Sequence, residues 1–208
     1  MTSSLVRRGP VFAVLLSAVL LSGGCALGGG EAVEPQPAPA YPEQGSGLDL
    51  PPRPRDLPIA GMAEARICEI FSAEQLEQLG VGPGSPSPKN GTRNFPGCMW
   101  LSDPEAAAST GISVSVAPVG IAELEAQSQE GSPDTAASYT VGGGFGAVQS
   151  QIPGAESLGC TVDVDAAERS ALEVGFAWQG GAEMTNQDMC AKAKQAAEFA
   201  VGNLRAQG

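Results

Sequence analysis

Histidine is absent from all 208 residues. Its absence excludes Ser-His-Asp and Cys-His catalysis, His-ligated zinc and proton transfer through imidazole. Lys89, Lys192 and Lys194 each lack a serine three positions earlier, so no Ser-x-x-Lys nucleophile is present either. No two cysteines stand in a C-x-x-C spacing, which argues against a thioredoxin-like redox site or a zinc knuckle. Basic residues are scarce, 11 against 23 acidic ones. A formal charge of −12 repels phosphate backbones, so nucleic acid is not an expected partner. Aromatic residues make up only 5%, with two tryptophans, a poor supply for a sugar-stacking cleft. What survives is carboxylate chemistry, or no chemistry.

Long hydrophobic runs are also lacking, with one short exception. Val11 to Leu21 is apolar, follows Arg7 and Arg8, and leads into Gly23-Gly24-Cys25. The run is shorter than the roughly 17–25 residues of a membrane-spanning helix. It fits a cleaved secretory signal over residues 1–24, of the lipoprotein kind. Ser22 stands three before the cysteine, where such signals usually carry an aliphatic residue, and Leu21 is displaced by one. Cys25 is expected to become the new N-terminus and to carry lipid, palmitate included, which would hold the protein at the outer face of the cytoplasmic membrane. The residues after Arg7-Arg8, Gly-Pro-Val-Phe, do not resemble a twin-arginine motif, so general secretion is the expected route.

Residues 25–58 read as a tether. Gly28-Gly-Gly is followed by eight prolines between Pro35 and Pro58, which forbid regular helix and central strand. A flexible coil of that length reaches roughly 30–35 Å. Arg53 and Arg55 read there as solvated spacer charges. Residues 59–208 are expected to form one extracytoplasmic domain.

In that domain, Gly61 to Ile70 reads as a short helix with Ile67, Cys68 and Phe71 inward. Ser72-Ala-Glu-Gln75 is a capping box that starts a second helix, and Gly80 ends it. Gly82 to Gly91 reads as a loop, with a formal glycosylation sequon at Asn90-Gly-Thr92. Strands follow at Gly97 to Leu101 and at Ile112 to Val116, where apolar and serine residues alternate. Ile121 to Gln127 reads as a short helix. Tyr139 to Val141 and Ala147 to Ile152 flank Gly142-Gly-Gly-Phe-Gly146, a hairpin turn rather than a phosphate loop, because β-like sequence follows it. Leu158 to Asp165 and Ala171 to Gln179 are the clearest strands. Asn186 to Leu204 is a closing helix with Met189, Cys190, Ala193, Ala197, Ala200 and Leu204 along one stripe. The expected fold is α+β: a two-layer domain, a largely antiparallel sheet with helices packed on it, and two disulfides.

Cys68 in a first helix, a capped second helix ending in Leu79-Gly80, and Cys98-Met-Trp100 opening a strand resemble an actinobacterial lipoprotein family of unknown function. Cys160-Thr-Val-Asp-Val164 and Cys190 in a terminal helix belong to the same resemblance, which covers about residues 60–205. It implies the fold and the location, and supplies no catalytic residue.

Cys68, Cys98, Cys160 and Cys190 form an even set for an oxidising compartment. Inward positions favour Cys68 with Cys98 and Cys160 with Cys190, each bolting a helix to the sheet. The two crossed connectivities also use inward cysteines and stay open. Asp163, Asp165 and Glu168 are the candidate metal ligands, since residues two apart on a strand share a face. The expected account of them is a solvated strand face, with no metal bound. These carboxylates, with Glu123, Glu125 and Glu173, are also the candidates for a glycosidase pair. Trp100 and Trp178 read as core residues beside the disulfides. No cofactor is expected. The expected function is that of a non-enzymatic binding or accessory module at the cell envelope, held by lipid at Cys25, with an envelope protein or small ligand as partner. The alternative is a carboxylate-dependent cell-wall glycoside hydrolase.

Overall fold

The computed structural model describes residues 48–87, 94–128, 137–151 and 156–208. The expected signal segment, Cys25 and the sequon at Asn90–Thr92 lie outside the described residues. Among the described residues four α-helices, α1 (Glu64–Ile67), α2 (Ala73–Leu79), α3 (Ile121–Ser128) and α4 (Asn186–Gln207), and a short 3-10 helix at Glu156–Leu158 accompany seven strands. The strands are β1 (Ser85–Pro86), β2 (Gly97–Leu101), β3 (Ala108–Ala117), β4 (Ala137–Val141), β5 (Phe145–Ser150), β6 (Gly159–Ala167) and β7 (Ser170–Gly181). They form one sheet in the order β1-β2-β3-β7-β6-β5-β4, antiparallel at every pairing. This is the expected α+β class.

Alternation decides which residues face the helices. Trp100, Ile112, Val114, Val162, Val164, Leu172, Val174 and Phe176 point to one side and are buried. There they meet α4, whose inward stripe is Met189, Ala193, Ala196, Ala197, Ala200, Val201 and Leu204. The alanines let the helix lie close to the sheet. Thr185 caps it, its Oγ1 accepting from the Asp188 N–H at 3.1 Å. The capping box of α2 forms in both directions: the Gln75 N–H donates to Ser72 Oγ at 3.3 Å and the Ser72 N–H to Gln75 Oε1 at 2.9 Å. Gly80 ends α2 at φ 73°, and the Val81 N–H returns to the Leu76 carbonyl. Asn203 of α4 ties the helices together, donating to the Ile70 carbonyl at 2.7 Å and to Gln75 Oε1 at 2.6 Å.

The opposite face, the back face, is covered over only part of its area. α3 buries Ile121 and Leu124 against Ala117, Val148 and Ala171, with Leu48 and Leu50 packed beside them. The two-layer arrangement therefore gains a partial third layer. Residues 48–58, expected to be the end of a solvated tether, are part of the body. Leu50 lies on Gly146, Pro54 approaches Gly144, the Leu57 N–H donates to the Ala166 carbonyl at 2.8 Å, and Leu57 and Ile59 are buried in the main core. Proline forbids helix and central strand but not an extended strap, and three aliphatic side chains among the prolines had a core to enter. The Gly82–Gly91 loop also contains β1, which extends the sheet by two residues.

Gly142–Gly144 is a hairpin turn with all three glycines at positive φ. The Gly142 N–H donates to Glu198 of α4 at 2.5 Å, and its carbonyl accepts from Arg205 at 2.6 Å. A Cβ on Gly142 would collide with Val201, so only glycine admits this docking. Beside the turn, Tyr139 donates to Gln149 Oε1 at 3.2 Å and sits 4.5 Å from Lys194 Nζ. Burial, aided by the charge of Glu198, raises the Tyr139 pKa from its ordinary value near 10 to about 12. Because the folded value exceeds the unfolded one, this contribution is fully present below pH 10 and is lost as pH rises to about 12. Tyr139→Phe, in a Tyr41→Phe background, should flatten that alkaline loss of stability, measured by denaturant unfolding across the same pH range.

The disulfides join Cys68 to Cys98 and Cys160 to Cys190, the pairs favoured from the inward positions. Each spans 30 positions, and a loop of that length contributes roughly 3–4 kcal/mol in the chain-entropy account. The first fixes α1 beside Trp100, whose ring meets Phe71 edge-on at 4.8 Å. Cys98→Ser should destabilise the domain by about that amount in urea unfolding and leave Cys68 titratable with a thiol reagent. Unchanged stability with no free thiol would contradict the pairing.

Candidate functional site

The carboxylates singled out from sequence are only partly brought together. Asp163 and Glu173 are directly opposite on β6 and β7, on the back face, and α3 packs across those strands. Asp163 is 1% exposed and Glu125 of α3 is 3% exposed. None of Asp163, Glu125 and Glu173 is without a partner. Asp163 was expected on a wet strand face; the covering layer buries it instead.

Asp165 sits where β6 carries an extra residue relative to β7, between Val164 and Ala167. Its Oδ1 accepts from Arg53 Nη1 at 2.5 Å, and Arg53 Nε donates to Asp56 at 2.7 Å. Burial works to lower the Arg53 pKa, but the two aspartates outweigh it and raise it. The arginine read as a spacer charge is thus the counter-ion of a proposed metal ligand. Glu168 lies in the β6–β7 turn and its backbone carbonyl faces Gly120. Asp163, Asp165 and Glu168 therefore do not converge, and among the described residues no group of three acidic or cysteine side chains could hold a metal ion. Glu123 is paired along α3 with Gln127. Trp100 is fully buried beside Cys98, while Trp178 is half-buried and donates its indole N–H to the Ala182 carbonyl at 3.0 Å.

Sequence reasoning missed a different feature, the uncovered half of the back face. The register lines up Leu101, Gly111, Ala177 and Gly159 across β2, β3, β7 and β6. The next row is Met99, Ser113, Gly175 and Thr161. Between its ends these two rows carry glycine, alanine, serine and threonine, with the exposed Gln179 amide lying over Gly111. Leu101 is 47% exposed and Leu158, beside Gly159, is 49% exposed.

A groove lies at each end. The larger, about 670 Å³, is walled by Val81, Pro83, Met99, Leu101 and Pro104, with Glu77 and Asp103 on its rim. It exists because Gly80 turns the chain off α2 and residues 82–87 then run along the edge of β2. The Gly82 N–H donates to the Leu101 carbonyl at 2.8 Å and the Ser87 N–H to the Gly97 carbonyl at 3.0 Å. The smaller groove, about 310 Å³, is formed by Leu158, Thr161, Gly175 and Trp178 with their neighbours. The signal in the sequence was the set of small residues at every second position of β3 from Gly111 to Ala117, met by Gly175 and Ala177 of β7; in β3 it read simply as a wet strand face.

Residues 20–203 match the model of a family described as "Protein of unknown function (DUF3558)". Nothing among the curated proteins or the solved structures matches the chain.

The Arg53–Asp165 pair anchors the 48–58 strap. Arg53→Ala leaves the largely buried Asp165 carboxylate without its donor, at a cost of roughly 1.5–3 kcal/mol. The expected result is a lower melting temperature and faster proteolytic cleavage within residues 48–58.

Proposed function

The chain belongs to the DUF3558 family, which carries no assigned activity, and from that premise we propose that it is a lipid-anchored, extracytoplasmic binding or accessory module of the cell envelope that performs no chemistry of its own. The observation that carries this reading is the open half of the back face. It combines two grooves, a floor of small side chains and two exposed leucines, and it presents contact area rather than reactive groups. Two disulfides suit an oxidising compartment. The apolar run ending at Gly23-Gly24-Cys25 supplies the anchor in this reading. Side-chain charge after removal of residues 1–24 is about −14, which keeps the body off an anionic bilayer while lipid holds its tether.

The hydrolase alternative needs two carboxylates facing a cleft that a polysaccharide can enter. The best-aligned pair, Asp163 and Glu173, lies in the region that α3 covers, with Asp163 1% exposed. The grooves instead carry their carboxylates, Glu77 and Asp103, on a rim without a base or acid inside.

Cys25→Ala tests the anchor. The wild-type protein should sediment with membranes and label with a palmitate analogue, and the variant should appear in the medium without label. A variant that stays on membranes after salt washing would defeat the lipid reading.

A further inference from the structure

We infer that the open half of the back face takes a segment of a partner polypeptide that is apolar along its length and carries basic residues at its flank; this rests on the binding-module reading above. The face is apolar at both ends of a single row. Leu101 and Leu158 are the exposed large hydrophobic residues among those described. Leu101 on β2 and Gly159 on β6 stand three strand spacings apart, about 14 Å, so one extended segment of roughly four residues reaches from one leucine to the other. The row's own residues between them are Gly111 and Ala177, and the side chain that reaches in from beside the row is the exposed Gln179 amide over Gly111.

Polar groups along the floor suit a peptide better than an acyl chain. Ser113 and Thr161 present hydroxyls, and the exposed Gln179 amide reaches over Gly111. These supply donors and acceptors that a peptide backbone needs on burial and a hydrocarbon cannot use. Addition of a strand at the β1 edge is the competing mode of peptide capture. Pro83 and Pro86 flank and occupy that edge and remove backbone donors from it, so capture falls to the face.

Charge fixes the second half of the inference. Glu77 and Asp103 sit on the rim of the larger groove, both exposed. No basic side chain among the described residues lines either groove. The described cations lie elsewhere: Arg66 on α1, Lys192, Lys194 and Arg205 on α4, Arg55 against the end of α4, Arg53 on Asp165, and Arg169 in the β6–β7 turn. A groove whose described lining is acidic on one side and holds no cation, on a chain of net charge −12, favours a basic flank and disfavours an acidic one.

The experiment uses the full mature chain, oxidised, and two synthetic peptides that share one apolar stretch of about four residues. One carries lysines at the flank of that stretch and the other glutamates. The lysine peptide should shift the backbone amide resonances of Gly82, Met99, Leu101, Ser113 and Ala177 and leave α4 unmoved. Leu101→Ser with Leu158→Ser should weaken it about tenfold or more, since two exposed apolar side chains are lost without touching the core. Glu77→Gln with Asp103→Asn should weaken it roughly fivefold and flatten its salt dependence, whereas Glu69→Gln with Glu74→Gln on the helix side should not. Equal affinity of the two peptides at this face would overturn the basic flank and leave the binding-module reading standing. Resonance shifts confined to other surfaces with both peptides would overturn both. A self-associating chain that the two leucine substitutions render monomeric would assign the face to a second copy and overturn the inference.

Discussion

Four alanines of α4, Ala193, Ala196, Ala197 and Ala200, allow that helix to lie directly on the sheet, and most of the structure follows from how close it comes. None of them is measurably exposed. At that distance Cys190 reaches Cys160, Glu198 and Arg205 grip the Gly142 peptide from both sides, and Asn203 reaches the turn between α1 and α2. A larger residue in the stripe would lift α4 and break several of these contacts together, because each side chain spans a gap fixed by the position of the helix. The requirement for glycine at position 142 is the same constraint seen from the other partner, since Val201 occupies the space a Cβ would need.

The two faces of the sheet are treated differently. On the helix side, long aliphatic and aromatic residues fill the space beneath α1, α2 and α4. On the back, α3 and the 48–58 strap cover one half, and small residues leave the other half open. Covering half of the back face converts Asp163 from a solvated strand residue into a buried one, and it brings Arg53 onto Asp165. The covered half therefore takes up Asp163, Glu125 and Asp165, three of the acidic residues that suggested metal or hydrolytic chemistry. The open half has almost no titratable groups, and what it offers is shape, apolar contact and a negative rim.

Local signals in the chain were legible wherever one stretch carries its own partner. Ser72 and Gln75 cap each other within three residues, Gly80 permits the left-handed turn that ends α2, and the alternation at residues 159–167 and 170–181 needs only its neighbours to be read. The cysteine pairs were legible for a related reason: each lies at an inward position of an element that must pack. The strap was not legible. Eight prolines between residues 35 and 58 fix what backbone the segment cannot adopt, and they carry no information on whether Leu48, Leu50 and Leu57 find a core.

By itself, the sequence determined the α+β class, the antiparallel pairing, the helix ends, the acidic balance and the exclusion of histidine chemistry. These depend on composition or on interactions spanning a few residues. The tertiary structure alone decided which half of the back face is covered, and hence that Asp163 is buried, that Arg53 neutralises Asp165, and that Leu101 and Leu158 stand exposed at opposite ends of the open half. Those facts depend on the order β3-β7-β6 and on where α3 and the strap come to rest. A strand's alternation says that two faces exist; only its neighbours in space say which face meets water.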